Sequence, residues 1–302
     1  MYNYIQELET KDDFANKLLN VELSQLDELK ELKEKSIYLF TKHQIPKKQN
    51  PLKHRIVYKV NDDSVKNLYK KLNFKLFWFL KFKNIGFPHE CSFGYTRGKG
   101  IADNAKQHCN KKLVMKIDIE NFFNSITHSK ITDKLHKLSK LNKDLCKEIA
   151  SFCCINNILP LGLNTSPLIS NIVCFDMDAE IHKYCIENNI TYTRYVDDVS
   201  VSSDNDIISH KERIYKIITN HKFKPNEEKF RITKNGMAHF VTGLSVSDNK
   251  PHVPKKMKQM IRQKLYYIKK YGFYNHCYWT KKYRPTTEYN KIDGTIAFMK
   301  GV

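Results

Sequence analysis

Two aspartates stand side by side in TRYVDDVSVSS, Thr193 to Ser203, between two short runs in which apolar and polar residues alternate. Alternation with a period of two marks strands with one buried face. Asp tolerates the backbone angles of tight hairpins, so Asp197-Asp198 reads as the two-residue turn of a β-hairpin. The fold must then contain an antiparallel pair that lifts two carboxylates out at one end of a sheet. Adjacent like charges disfavour each other's ionisation, so the pair calls for a counter-charge. A hard divalent cation with oxygen ligands supplies one, and magnesium often joins one or two carboxylates to substrate phosphates. That chemistry is phosphoryl or nucleotidyl transfer. A solvated turn carries the same two letters, and the local sequence leaves both readings open.

A two-metal site needs a further carboxylate, and Asp118 is the best candidate. It ends the apolar run KKLVMKIDI (Lys111–Ile119) and precedes ENFFNSI, which reads as a helix start. It serves equally well as a helix N-cap.

The remaining chain reads as strands interspersed with helices, an α+β plan. Leu19, Leu23, Leu26, Leu29 and Leu32 form one apolar stripe in a helix over 13–40. Gln44–Val60 has strand–turn–strand punctuation, with Pro46 and Pro51 around the turn. Helices are expected over 68–82, 130–158, 168–188, 207–220 and 255–271, and strands over 229–246. No internal repeat is present.

Charge narrows the partners. The 302 residues carry 52 Lys and Arg against 32 acids, a formal net charge of +20, which favours a polyanion such as nucleic acid. The excess is uneven: residues 1–40 hold nine acids and five lysines, while Lys250–Gly272 holds eight Lys or Arg and no acid. The eight cysteines show no C-x-x-C pair, the pattern of reduced intracellular thiols. His182 and Cys185 can share a helix face, but a pair without further ligands reads as ordinary helix residues. The most apolar run, Leu76–Leu80, is too short to span a bilayer, and a cytoplasmic protein is expected.

The order and company of the motifs resemble those of bacterial retron-type reverse transcriptases. YVDD (Tyr195–Asp198) resembles the family's Y-[AV]-D-D turn, and DIENFFNSI (Asp118–Ile126) its first catalytic segment. LPLGLNTSPLISN (Leu159–Asn171) is similar to the family's L-P-Q-G loop and following helix, with Leu161 in the usual glutamine position. FGYTRGKGIADNAKQH, IPKKQNPLKHRIVYKV, FKPNEEKFRIT and the VTG segment with its basic helix resemble further family blocks, spanning roughly residues 45 to 272. The glycine of the fingers turn is replaced around Asn50-Pro51.

The resemblance implies a right-hand polymerase fold. Its parts would be an N-terminal helical segment (1–45), fingers (46–110), a palm with an antiparallel sheet and helices on one face (111–246), and a basic helical thumb (247–302). It implies that Asp118, Asp197 and Asp198 hold two Mg2+ ions, with Mn2+ a possible substitute. Lys47, Lys48 and Arg55 would bind the triphosphate, Phe123 would select the sugar, Gly162 would shape the pocket, and Lys229 would meet the leaving pyrophosphate. Arg97, Asn104, Thr242, Gly243, Lys255, Lys256, Lys258, Arg262 and Lys264 would contact nucleic acid; for His108 a structural role is preferred. The implied activity is RNA-directed DNA synthesis from dNTPs on a cognate noncoding RNA, primed from an RNA 2′-hydroxyl and giving branched RNA–DNA. The implied setting is anti-phage defence with a separately encoded effector protein and no membrane. Two rival readings are a defence reverse transcriptase without retron RNA and a ribonucleoprotein scaffold.

Overall fold

The computed structural model describes residues 8–35, 39–47, 50–234, 236–282 and 284–302. The chain opens with a short helix, α1 (Lys11–Asp13), which widens into a π-helical stretch, Phe14–Leu19, and stops at Asn20 in the left-handed region. α2 (Leu23–Lys35) follows, so the single helix expected over 13–40 is broken. Leu19, Leu26 and Leu29 of the expected stripe are buried, while Leu32 is 47% exposed. This segment packs inward: Phe14 meets Phe152 edge-on at 5.8 Å, and Lys33 Nζ donates to the Ser151 and Phe152 carbonyls at 2.7 and 2.8 Å.

β1 (Phe40–Lys47) and β2 (Asn50–Val60) form an antiparallel hairpin. α3 (Asp63–Phe82) is capped by the Asp62 carboxylate, which accepts from the Ser64 and Val65 amides. α4 (Ile101–Lys106) precedes β3 (Leu113–Asp118). The helix expected over 130–158 is two, α5 (His128–Ser139) and α6 (Lys143–Cys153). Lys140 turns left-handed at φ 60°, and the Asn142 side chain caps the new start. α7 (Ser166–Glu187) leads into β4 (Thr191–Tyr195) and β5 (Asp198–Ser203). Then come α8 (Lys211–Asn220), β6 (Arg231–Thr233), the small hairpin β7 (Phe240–Val241) and β8 (Leu244–Ser245), and three terminal helices. These are α9 (Lys255–Tyr271), α10 (Phe273–Trp279) and α11 (Pro285–Lys300).

The central sheet is antiparallel, in the order β4-β5-β3-β6. Its pleat sorts the side chains. Met115 and Ile117 of β3, with Val199 and Val201 of β5, enter the main core beside α5 to α8. Burying side chains of this size contributes roughly 1.5–3 kcal/mol each. Val114, on the other face, joins a smaller core with Ala105, Val241, Leu244, Val246 and Val253. Asp118 shares the Val114 parity, so it emerges on the less covered face, where the sheet ends. Among the described residues, no helix is long and apolar enough to cross a membrane.

Candidate active site

The register brings two distant carboxylates together: Asp118 of β3 pairs directly with Asp198 of β5, and Asp198 also faces Tyr195 of β4. The hairpin turn is Val196-Asp197, one residue earlier than the sequence suggests, and Asp198 already belongs to the strand. Val196 sits at φ 63°, a position that glycine normally fills in such a turn. A β-branched residue there is strained, so its surroundings must impose it.

Those surroundings are visible. A Cβ on Gly94 would lie 2.5 Å from the Val196 nitrogen, so only glycine lets this loop run beneath the turn. Arg194, wholly buried, forks onto Asp178 of α7, with Nε to Oδ1 and Nη2 to Oδ2 both at 2.7 Å. Its Nη1 donates to the Val196 carbonyl at 3.0 Å, and its Nη2 also reaches Ser92 and Asn171. Asn171 Nδ2 in turn holds the Gly94 carbonyl at 3.0 Å. Tyr192 donates its hydroxyl hydrogen to Asp178 at 2.7 Å. His108, also buried, bridges Ser202 and Thr193 at 2.7 Å each, and burial pushes its pKa down to about 3. It is a neutral strut between α4 and the hairpin.

One carboxylate of the three is paired, and the other two are shifted toward the protonated form. Burial, then the neighbouring Asp198 and Asp118, push Asp197 up to about 6, against a smaller opposing pull from Arg55. Asp198 is also raised, chiefly by burial. Asp118 is engaged by Lys229, whose Nζ donates to both carboxylate oxygens at 2.8 and 3.0 Å, and by Asn226 Nδ2 at 3.3 Å. Three half-buried carboxylates at one sheet end, two of them raised, fit oxygen-loving divalent cations.

The other expected residues divide. Arg55 is exposed on β2 and close enough to act on both Asp197 and Asp198. The Lys47 side chain and the whole of Lys48 lie outside the described residues. Phe122 is buried against Phe223, while Phe123 is half-buried beside it at 5.3 Å. Gly162 fits under β2: a Cβ there would sit 2.2 Å from the Tyr58 carbonyl, and Tyr58 N–H donates to the Leu161 carbonyl at 2.7 Å. Thr242 and Gly243 form the β7–β8 turn, and Thr242 Oγ1 donates to the Ile101 carbonyl at 3.0 Å. Arg97, Lys255, Lys256 and Arg262 are exposed, and Lys258 is half-buried.

One expectation is corrected. Asn104 is fully buried, so no nucleic acid can reach it from solvent. Lys264, half-buried, pairs with the buried Glu288 of α11 at 2.5 Å. Arg194, Asn171, Gly94 and Asn226 lie inside the quoted motifs but carried no assigned role, and Asp178 lies outside them.

A sheet of this topology, ending in paired aspartates beside a fingers-like hairpin and a basic helical end, defines the right-hand polymerase class. Residues 45–267 match the family described as Reverse transcriptase (RNA-dependent DNA polymerase). The chain is 30% identical to the Retron Ec73 reverse transcriptase of Escherichia coli over 234 residues, 71% of this chain and 70% of that one. It is 29% identical to the Retron Ec86 reverse transcriptase of Escherichia coli over 179 residues, 59% of this chain but only 56% of the relative's length. A telomerase structure from Candida albicans superposes with a TM-score of 0.53 at 11% identity, covering 80% of this chain and 52% of that one, a likeness of fold. The chain belongs to the reverse transcriptase family, among the retron reverse transcriptases.

Proposed function

We propose that the chain is an RNA-directed DNA polymerase that copies part of a cognate structured noncoding RNA into single-stranded DNA. The reading rests on one observation above others: the Asp118–Asp198 register, with Asp197 in the adjoining turn. Synthesis starts from a 2′-hydroxyl of that RNA and leaves a branched RNA–DNA product, which acts with a separately encoded effector in cytoplasmic anti-phage defence. The matches to retron reverse transcriptases support the copying of RNA into DNA.

Asp118, Asp197 and Asp198 would hold two magnesium ions, which lower the pKa of the attacking hydroxyl and neutralise charge on the triphosphate. Lys229 guards Asp118 until substrate arrives, then turns to the leaving pyrophosphate. Arg55 carries the fingers hairpin's charge to the triphosphate, where its fork suits phosphate oxygens. Phe123 lies against the sugar and disfavours ribonucleotides. Gly162 keeps the pocket floor close to β2. Arg97, Lys255, Lys256, Lys258 and Arg262 follow nucleic-acid phosphates. The division into 1–45, fingers, palm and thumb fits these roles, with the first boundary best drawn before Phe40, because β1 crosses residue 45.

The test is DNA synthesis by the purified chain with its copurifying RNA, followed by sequencing of the product and its junction. Asp197→Asn should lower synthesis by on the order of 10^3-fold while RNA stays bound. Wild-type levels of DNA from that variant would remove the catalytic reading. DNA joined to protein, and not branched from RNA, would favour a defence polymerase of another priming class.

A further inference from the structure

A second cluster lies behind the catalytic hairpin. The loop between α3 and α4 carries His89 and Cys91, and α7 carries His182. One ligand atom from each of these lies within 4.8 Å of the other two, the only such group of three among the described residues. The imidazole rings of His89 and His182 meet edge-on at 5.3 Å. Cys91 is 5% exposed and forms no disulfide. Glu90 Oε1 lies 3.4 Å from His182 Nδ1, the pairing in which a carboxylate orients a ligating imidazole. His182 was unconvincing beside Cys185 in the sequence. In the fold Cys185 turns into the main core, and the loop supplies the partners instead.

We propose that His89, Cys91 and His182 form a zinc site, with water or the Glu90 carboxylate in the fourth position. Two imidazoles and a thiolate suit a borderline-soft cation in tetrahedral geometry and not magnesium, which prefers oxygen. Burial holds His89 below the usual histidine range, so its ring is in the neutral, ligating form. Burial, aided by Asp178, pushes the Cys91 thiol up, and a bound cation reverses this by taking the place of the proton. The Cys91 N–H contact to His89 Nδ1, at 3.3 Å, gives way to a coordination bond.

The position gives the site a purpose. Arg194 N–H donates to the Cys91 carbonyl at 2.8 Å, and Phe93 N–H donates to the Arg194 carbonyl at 2.9 Å. Ser92 pairs with Arg194 as an isolated parallel bridge. A cation here staples the loop to α7, and that loop supports the strand that ends in Val196 and Asp197. The chain would then use two chemically separate cation sites, one of oxygens in front of the hairpin and one of nitrogen and sulfur behind it.

The experiment is metal analysis of the purified full-length chain, with cobalt as a spectroscopic probe. The wild type should retain about one zinc per chain after gel filtration in magnesium buffer. After exchange with Co2+ it should show a thiolate-to-cobalt charge-transfer band. Cys91→Ser should remove the band and weaken zinc binding at least tenfold, and His182→Ala should weaken binding likewise. Cys185→Ser and Asp197→Asn should keep the band. A wild-type chain with neither stoichiometric zinc nor the band would overturn the proposal, as would a band that survives Cys91→Ser. Because the readout is the thiolate band, its failure is distinct from any failure of polymerase activity.

Discussion

Among the described residues, the β4–β5 and β7–β8 hairpins both turn through the left-handed region, and they differ in how the turn is enforced. The β7–β8 turn uses Thr242 and Gly243 at φ 48° and 84°, and a Cβ on Gly243 would meet nothing within 4 Å. The β4–β5 turn puts Val196 at φ 63° over a glycine that cannot accept a side chain. The first turn also holds a β-branched residue at positive φ, but with one side-chain bond, Thr242 Oγ1 to the Ile101 carbonyl, and open space around its glycine. The second is imposed by Arg194, Asp178, Asn171 and Gly94, and it is the one that carries the carboxylates. Strain held by a buried network fixes the position of Asp197 more tightly than a relaxed turn could.

The comparison breaks first at the network. Arg194→Met leaves Asp178 buried and uncompensated, and urea unfolding should show a loss of roughly 3–5 kcal/mol. Adding Asp178→Leu should recover much of it; a single variant as stable as wild type would mean the fork does not hold the turn. Next come the glycines. Gly94→Ala should cost about 1–3 kcal/mol through its clash with Val196, with reduced DNA synthesis in the same preparation. Gly243→Ala should cost roughly 1 kcal/mol through backbone strain alone, with synthesis nearly unchanged. Equal effects at the two glycines would erase the distinction between the turns.

A pH experiment sharpens it. In the absence of divalent cations, Asp197 titrates near 6 in the folded chain and lower when unfolded, so the folded state holds the extra proton between those values. Its contribution to stability should therefore fall as pH rises through that window to about 6. The difference between wild type and Asp197→Asn should show this slope, and magnesium should abolish it. A parallel pair of curves would remove the electrostatic account. The smallest effect lies furthest from the hairpins: replacing Lys255, Lys256 and Lys258 together should flatten the salt dependence of RNA binding by about one unit of slope per phosphate-bound lysine. An unchanged slope would move the footprint off α9.

Much of this site is legible in the sequence because strand alternation and motif order are local or repeated signals. β3 and the basic α9 lie within a residue or two of where the pattern puts them. The turn lies one residue earlier than the local pattern predicts because valine is disfavoured at positive φ, and the partners that fix Arg194 beside it stand 16 to 102 residues from Arg194 in the chain. Asn104 looks like a binding residue because a polar letter does not reveal burial. Its surroundings come from the distant β7–β8 segment. The His89, Cys91 and His182 cluster is illegible for the same reason, since helix spacing nominated the wrong cysteine.

Leu161 marks the one clear departure from the family's loop, yet the bond that anchors the loop to β2 runs through its main-chain carbonyl. Since every amino acid brings that same carbonyl, exchanging leucine for glutamine at 161 keeps the acceptor that Tyr58 uses.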